Sequence, residues 1–233
     1  MTNHLVLLPG LDGTGQLFAN FVAALPDTFI ATTVTYPADK FLSYTDLLPF
    51  VRSAVPTGER FIILAESFSS PIAIEYAASN PQNLAALVIV AGFVRKPVGR
   101  WSPVAKALTN PWIFKPQMPR WLLEFALVGS DAPAALVQEF RRVVQLIDPA
   151  VLSGRAREAL DCDMTLQLAQ INVPLMYVQA DHDRLLSESC VADFKRIRPA
   201  ISLAFVDGPH LVLQREPQQV ADVVSKFTGD LKS

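Results

Sequence analysis

Ser67 lies at a predicted turn between a strand and a helix, a position from which a serine hydroxyl could act as a nucleophile. The segment Ile62–Ser70 begins as an apolar run that ends at Ala65 and continues, after Ser67, into a helix-like stretch. A serine at such a sharp strand-to-helix turn presents its hydroxyl above the sheet edge, and only small residues two positions away avoid a clash there. Ala65 and Ser69 are small, although glycine is usual at both positions. The pattern favours a nucleophilic serine; a serine that only caps the helix is the alternative.

A histidine and an aspartate follow later apolar runs, where each could serve Ser67. His210 comes after the run Ser202–Val206, and Asp183 comes shortly after the run that ends at Gln179. An imidazole can accept the serine proton as general base, and a carboxylate can fix its tautomer and stabilise the imidazolium. The chain order of serine, acid and histidine is one in which such triads occur. We therefore predict that Ser67, Asp183 and His210 form a catalytic triad.

Two aspartates compete for the role of the acid. The turn after such a strand usually has a small residue, two spacers and then the acid. The run Ala180-Asp181-His182-Asp183 fits this pattern with Asp183 as the acid, and Asp181 is the alternative. The Asp-His-Asp triplet could also suggest a metal site. Consecutive side chains seldom converge on one ion, however, and no further ligand cluster is evident. We expect neither a metal nor another cofactor.

A glycine-rich loop, residues 9–15, follows the first apolar run. Gly10, Gly13 and Gly15 could suggest a nucleotide-binding loop, but the loop lacks the lysine of a P-loop and the spacing of a dinucleotide motif. A loop that stabilises a developing oxyanion with backbone N–H groups fits better. We predict the N–H groups of Leu11 and Phe68 as those donors.

These residues must be positioned by alternating strands and helices. The apolar runs that predict strands are Leu5–Leu8, Phe29–Tyr36, Arg60–Ala65, Leu84–Ala91, Pro174–Gln179 and Ser202–Val206. The helix-like stretches are Leu17–Ala24, Thr45–Val55, Ser70–Ser79, Ser187–Ile197 and Pro217–Phe227. Strands of this length and β-branched content suit a sheet buried on both faces, and parallel strands need crossover helices. The expected fold class is α/β, with a mostly parallel sheet of about six strands and helices on both faces.

One interval, which we call the inserted segment (residues 94–168), interrupts this alternation. It contains no convincing strand, and it includes helix-biased stretches at Arg120–Val128 and Ala134–Ile147. The second has apolar residues at helical spacing. We expect a helical cap here, inserted after the fourth recognisable strand, and a core made of residues 1–93 and 169–233.

The four motifs in this order resemble those of the α/β-hydrolase superfamily over essentially the whole chain. The superfamily's oxyanion loop matches Pro9-Gly10-Leu11, although histidine often stands where this chain has Pro9. Its elbow matches Ala65–Ser69, its acid turn matches Ala180–Asp183, and its terminal histidine matches His210. The resemblance implies acyl transfer to water through a serine-bound acyl-enzyme. A serine nucleophile argues against the branches that use aspartate at this position.

Aromatic residues are concentrated in the inserted segment. They are Trp101, Trp112, Phe114, Trp121 and Phe125, and they include all three tryptophans of the chain. Such residues could line an acyl-chain pocket, so Trp101, Trp112 and Trp121 are candidate substrate-binding residues. The alternative is that they only pack the cap against the sheet.

The charge of the inserted segment differs from that of the rest. Between Val94 and Leu160 there are ten basic and five acidic residues, so this window carries +5 and the remainder of the chain −7. A basic cap could steer an acidic partner such as acyl carrier protein, with Arg141 and Arg142 as candidate contacts. The pattern is similar to that of pimeloyl-acyl-carrier-protein methyl ester esterases of biotin synthesis. A solvated helix face would give the same count.

Composition argues against several other classes of protein. A formal charge of −2 and the absence of basic runs interleaved with aromatics argue against a nucleic-acid partner. The two cysteines lack the spacing of a metal or redox motif. The longest apolar run has eleven residues, whereas a membrane span needs roughly 20, so no span and a cytoplasmic location are expected.

We therefore predict a serine carboxylesterase that acts on a small-molecule or carrier-bound acyl ester. A thioesterase or acyltransferase with the same triad is one alternative, because the nucleophilic step is common to all three. A non-catalytic binding module that kept the fold is another, and the non-glycine residues flanking Ser67 favour it.

Overall fold

The computed structural model describes residues 3–97, 109–114, 124–186 and 188–231. Six strands form one sheet: β1 (Asn3–Leu8), β2 (Phe29–Thr33), β3 (Phe61–Glu66), β4 (Leu84–Val90), β5 (Leu175–Ala180) and β6 (Ser202–Val206). The helices are α1 (Ala19–Ala24), α2 (Tyr44–Ala54), α3 (Ser70–Ala78), α4 (Ala134–Val144), α5 (Pro149–Asp161), α6 (Thr165–Gln170), α7 (Glu188–Ile197), α8 (Val212–Arg215) and α9 (Pro217–Asp230). Short 3₁₀ turns cover Gln16–Phe18, Ser67–Ser69 and Pro111–Phe114, and a π-helical turn covers Glu124–Val128.

The strand order in the sheet is β2-β1-β3-β4-β5-β6, and all five pairings are parallel. The predicted fold class is therefore confirmed. The chain runs outward from β1 to β2, returns to β3 and then continues in the other direction, so the order reverses between β1 and β3. Crevices outside the carboxyl ends of strands at such a reversal are where ligands bind in open α/β sheets. In register, Leu8 at the end of β1 lies beside Ala65 at the end of β3.

Two apolar layers cover the two faces of the sheet. One contains residues of α2, α3 and α7, with Ile63 and Leu87 from the strands. The other contains residues of α1 and α9, with Leu64 and Val88. Alternate strand residues point to opposite faces, which is why neighbours in one strand belong to different layers. The four central strands are buried, whereas β2 and β6 are partly exposed because they lie at the sheet edges.

The inserted segment returns to the sheet close to where it leaves. Lys96 N–H donates to Cys162 O at 2.9 Å, and Met164 N–H donates to Val94 O at 2.8 Å. This antiparallel contact lies within the predicted limits, residues 94 and 168. Leu168, on α6, is buried in the layer that also holds α2 and α3. The division into cap and core remains a prediction.

The described part of the inserted segment packs on loops at the carboxyl edge of the sheet. Val137 and Phe140 of α4 form an apolar cluster with Leu17, which follows the loop after β1, and with Leu211, which follows His210.

Among the described residues, no helix is long and apolar enough to cross a membrane.

Candidate active site

Ser67 occupies a strained turn between β3 and α3. Its φ is 46°, a left-handed value that is uncommon for a residue other than glycine. Strain of this kind persists only where the surroundings impose it. The flanking residues Ala65 and Ser69 are fully buried, which explains why small side chains stand there.

Ser67, His210 and Asp183 form one hydrogen-bonded chain. The Ser67 Oγ lies 2.9 Å from His210 Nε2, and His210 Nδ1 lies 2.7 Å from Asp183 Oδ2. His210 and the Asp183 side chain are almost fully buried, at 3% and 2% exposure. The three residues follow β3, β6 and β5, so parallel strands bring their carboxyl ends to one edge. This geometry allows the imidazole to accept the serine proton while the carboxylate holds its other nitrogen.

Asp183 uses both carboxylate oxygens. Its Oδ2 forms the hydrogen bond with His210 Nδ1. Its Oδ1 accepts hydrogen bonds from the backbone N–H groups of Leu185 and Leu186 at 2.8 and 2.9 Å. The competing Asp181 is exposed. Between these two aspartates, only Asp183 contacts the imidazole.

The pKa of His210 reflects opposing effects. Burial alone would lower it, because it disfavours the charged imidazolium. The Asp183 carboxylate raises it through charge and a hydrogen bond, Glu66 adds a smaller contribution, and the net result is a raised pKa. An imidazole with a raised pKa holds the serine proton more firmly once it has accepted it.

The loop of residues 9–15 lies beside Ser67. Leu11, Ser67 and Phe68 line the same cavity. Within the described residues, the Leu11 N–H donates to no protein acceptor. Both observations fit the predicted oxyanion role of Leu11 and Phe68, which remains a prediction.

The cavity beside Ser67 is small and apolar. Its volume is about 70 Å³. Besides Leu11, Ser67 and Phe68, its walls are Phe93, Pro97, Ala156, Ala159, Leu160, Leu185 and Leu186. Three of these residues belong to the end of α5, so the inserted segment supplies one wall. An apolar acyl group would be desolvated there without leaving a polar group unpaired.

The candidate substrate-binding residues that the structure describes do not line the cavity beside Ser67. Trp101 and Trp121 lie outside the described residues. Trp112 is 71% exposed and does not line the cavity beside Ser67. Neither Arg141 nor Arg142 lines it, and Arg142 bonds Glu139 at 2.6 and 2.9 Å.

Three buried polar residues near the site are not evident from the sequence motifs. Ser69 Oγ donates to Pro9 O and lies 2.9 Å from the Tyr36 hydroxyl, which joins the elbow to the loop after β1. Arg155, from α5, reaches the same loop. The sequence around Ser69 hints at its role only because a serine replaces the usual glycine there. The sequence around Arg155 gives no indication of its contact with the loop.

Glu66, which precedes Ser67, is the third of these residues. It is 2% exposed, and burial followed by the charge of Asp12 raises its pKa to about 7. Its Oε1 lacks a hydrogen-bond partner among the described residues, as do both side-chain polar atoms of the neighbouring Gln214. A carboxyl group in such a place is neutral over much of the acid range.

Comparison with known proteins agrees with this architecture. No protein-family model matches the chain, and no curated protein matches it in sequence. Among solved structures, it is similar to a hydrolase from Oleispira antarctica, with a TM-score of 0.82 and 15% identity over 97% of this chain and 91% of the other. A structure described among carboxylesterases of the thaumarchaeon Nitrososphaera gargenis gives a TM-score of 0.81 and 16% identity, over 99% and 91%. The enol-lactonase from Burkholderia xenovorans gives 0.76 and 16%, over 98% and 92%. At these identities the likeness concerns the fold, and the chain has the α/β-hydrolase fold.

Proposed function

We propose that the protein is a serine carboxylesterase that hydrolyses acyl esters through an acyl-enzyme. The observation that carries this proposal is the hydrogen-bonded chain from Ser67 Oγ through His210 to Asp183, at 2.9 and 2.7 Å. The left-handed backbone of Ser67 supports it, since a serine that only capped α3 would not require that conformation.

The proposed reaction has two halves. Ser67 Oγ attacks the ester carbonyl while His210 Nε2 accepts its proton, and the oxyanion forms hydrogen bonds with the N–H groups of Leu11 and Phe68. The intermediate collapses, the alcohol leaves with the proton from His210, and the acyl group stays on Ser67. Water then attacks the acyl-enzyme as His210 accepts its proton, and collapse of the second intermediate returns a proton to Ser67 and releases the acid. Asp183 remains ionised throughout.

The walls of the cavity support an apolar acyl group as the preferred substrate. A charged acyl group would lose its hydration there without a compensating partner. The solved structures that share the fold include an enol-lactonase and one described among carboxylesterases. That description belongs to those proteins and agrees with the proposed reaction class.

The finer hypothesis, a methyl ester carried by acyl carrier protein, receives less support from the described residues. It depends on free cations in the inserted segment. Arg155 is buried, Arg95 forms a bidentate pair with Asp193, and Arg142 bonds Glu139. The +5 of the window between residues 94 and 160 already subtracts Glu139, and the whole inserted segment, with Asp161 and Asp163, carries +3. Burial of Arg155 and the pairing of Arg95 with Asp193, which lies outside the segment, reduce further the charge that is offered to a partner. Charge reversal of Arg141 and Arg142 tests the idea: an equal effect on carrier-linked and small esters would remove it.

Active-site labelling tests the proposed function directly. Purified protein is incubated with a fluorophosphonate probe, and we expect one adduct that is lost in Ser67→Ala. A panel of p-nitrophenyl acyl esters, acyl thioesters and a pimeloyl methyl ester then separates an esterase from a thioesterase. Absence of the adduct, or an undiminished adduct in Ser67→Ala, would refute the assignment and favour a non-catalytic binding module.

A further inference from the structure

The guanidinium of Arg155 lies buried beneath the loop after β1. Arg155 belongs to α5 of the inserted segment and is 1% exposed. Its Nη1 donates to Leu11 O at 2.9 Å and to Asp12 O at 2.7 Å, and its Nη2 donates to Pro37 O at 2.8 Å. A buried cation whose hydrogen bonds go to backbone carbonyls costs more to desolvate than an apolar side chain of similar size. The nearby charge of Asp12 and the ring of Tyr36, centred 5.7 Å from the guanidinium carbon, offset part of this cost.

Every carbonyl from residue 9 to residue 13 has a donor within the protein. Ser69 Oγ binds Pro9 O, Gly13 N–H binds Gly10 O at 3.1 Å, and Tyr36 N–H binds Gly13 O at 2.7 Å. Arg155 binds the two carbonyls between them. The peptide plane that carries the Leu11 N–H contains Gly10 O, which Gly13 N–H holds. Arg155 fixes the next two peptide planes, through Leu11 O and Asp12 O, and so acts on the Leu11 N–H through the backbone that joins them.

Gly13 shows that the loop is shaped around the guanidinium. Its φ is +70°, and a Cβ built at this position would lie 2.3 Å from Arg155 Nη1. Glycine is required there both by the left-handed backbone and by the close approach of the charged group. The loop and the inserted segment thus fit together at the guanidinium, beside the apolar contact of Leu11 with Ile147, Val151 and Leu152.

We propose that Arg155 is a positioning residue, which orients the Leu11 N–H toward the oxyanion and so makes hydrolysis depend on the inserted segment. This inference rests on the proposed esterase function. A donor displaced by a fraction of an ångström stabilises the tetrahedral intermediate poorly while leaving substrate binding almost intact. Any movement of α5 away from the sheet would release the loop and lower the rate.

The test is Arg155→Lys, because an ammonium cannot reproduce the planar fork that binds three carbonyls. Active sites are first counted by titration with a fluorophosphonate, and rates are expressed per titrated site. We expect kcat per site to fall about 100-fold with KM changed less than about threefold. The Ki of a trifluoromethyl ketone, whose adduct carries an oxyanion, should rise by a similar factor. A purely structural role would lower the number of titratable sites without changing Ki.

Arg157→Lys is the matched control, since Arg157 lies on the same helix, is exposed, and bonds Ser153 Oγ and Thr109 O instead. It should leave kcat and Ki per site unchanged. If Arg155→Lys does not fold, Gly13→Ala displaces the guanidinium from the other side and should raise Ki in the same way. Unchanged Ki and kcat per site in the folded variant would overturn the role of Arg155. Failure of the proposed function is distinct, because wild-type protein would then neither react with the probe nor hydrolyse any ester.

Discussion

At the scale of single residues, the site depends on how buried charges are partnered. Asp183 has a donor for each oxygen, from His210 on one side and from two backbone N–H groups on the other. Glu66, by contrast, is buried, and its Oε1 has no hydrogen-bond partner in the part of the chain that the structure describes. A buried carboxylate is stable as an anion only when hydrogen bonds replace its hydration, and burial raises the pKa of Glu66 to about 7.

The role of Asp183 leads to the first prediction. Asp183→Asn should lower kcat by roughly 10⁴-fold, because the amide no longer stabilises the imidazolium or enforces the required tautomer. Hydrolysis of p-nitrophenyl butyrate measures the loss. The control is Asp181→Asn, at the exposed aspartate two residues earlier, which should retain wild-type activity. If the two variants were equally active, Asp183 would not be the acid of the triad.

Glu66 leads to a prediction about stability and pH. Its pKa is about 7 in the folded protein, against 4.5 in a model compound. Below about pH 4.5 both states keep the proton and the group costs nothing. As the pH rises toward 7, the unfolded chain releases the proton first, and folding becomes less favourable by up to about 3 kcal/mol. Glu66→Gln should therefore stabilise the protein at pH 8 and lose this advantage as the pH falls to 4.5.

Urea unfolding at pH 8, 6 and 4.5 measures this difference. Glu75→Gln on α3, at a partly exposed glutamate, is the control and should change the free energy of unfolding by less than about 0.5 kcal/mol at each pH. A gain from Glu66→Gln that did not vary with pH would show that the carboxyl group is not the source of the cost.

The predictability of the site follows from how far apart its contacts are in sequence. Ser67, Asp183 and His210 each follow a recognisable apolar run within a few residues, so local patterns and a rule of strand topology place them together. Arg155 and Leu11 are separated by 144 residues, and their contact depends on how the inserted segment folds back. Neither residue has a local pattern that points to the other, and the sequence alone could not connect them.

At the scale of secondary structure elements, the elbow and the loop after β1 behave as one unit. The end of β1 lies beside the end of β3 in the sheet. Ser69 joins the two turns that follow these strands, through Pro9 O and the Tyr36 hydroxyl. The serine that departs from the usual glycine thus supplies a tether that glycine could not.

This tether is tested by Ser69→Ala. The change removes one hydroxyl and leaves two buried polar groups, Pro9 O and Tyr36 Oη, without that partner, which should cost about 2–4 kcal/mol of unfolding free energy. Thermal or urea unfolding measures it. Ser79→Ala, at an exposed serine at the end of α3, should cost less than about 1 kcal/mol. Equal effects of the two changes would argue against the tether.

The elements themselves were predictable to different degrees. Each of the six predicted strands is present within a few residues, because short apolar runs between turn residues are distinctive. The bounds of α5 were not predictable, since its buried positions include Ser153, Gly154 and Arg155 and therefore follow no apolar period in the sequence. The edge strands β2 and β6 are more exposed than the expectation of strands buried on both faces, because only one side of each is covered by a neighbouring strand.

At the scale of the whole molecule, charge and cavity point to different substrates. The window between residues 94 and 160 carries +5 and the remainder −7, a separation that would attract an anion to this window, although burial of Arg155 and pairing of Arg95 weaken the attraction. The cavity beside Ser67 has apolar walls, with the leucines and alanines of α5 and of the turn after β5 among them. Attraction over a distance raises the encounter rate, whereas the walls decide which acyl group can be desolvated.

A pair of esters of equal length separates these effects. We expect p-nitrophenyl hexanoate to be hydrolysed with a kcat/KM at least about 10-fold higher than that of singly ionised p-nitrophenyl adipate, because the terminal carboxylate must enter an apolar space or stay outside it. Long-range attraction between exposed charges is screened over about 10 Å at 0.1 M salt, whereas the desolvation cost in the cavity is not. The preference should therefore persist, or grow, between 10 and 500 mM NaCl. A preference for the adipate ester that disappears in high salt would mean that the positive charge of the inserted segment, and not the cavity beside Ser67, selects the substrate.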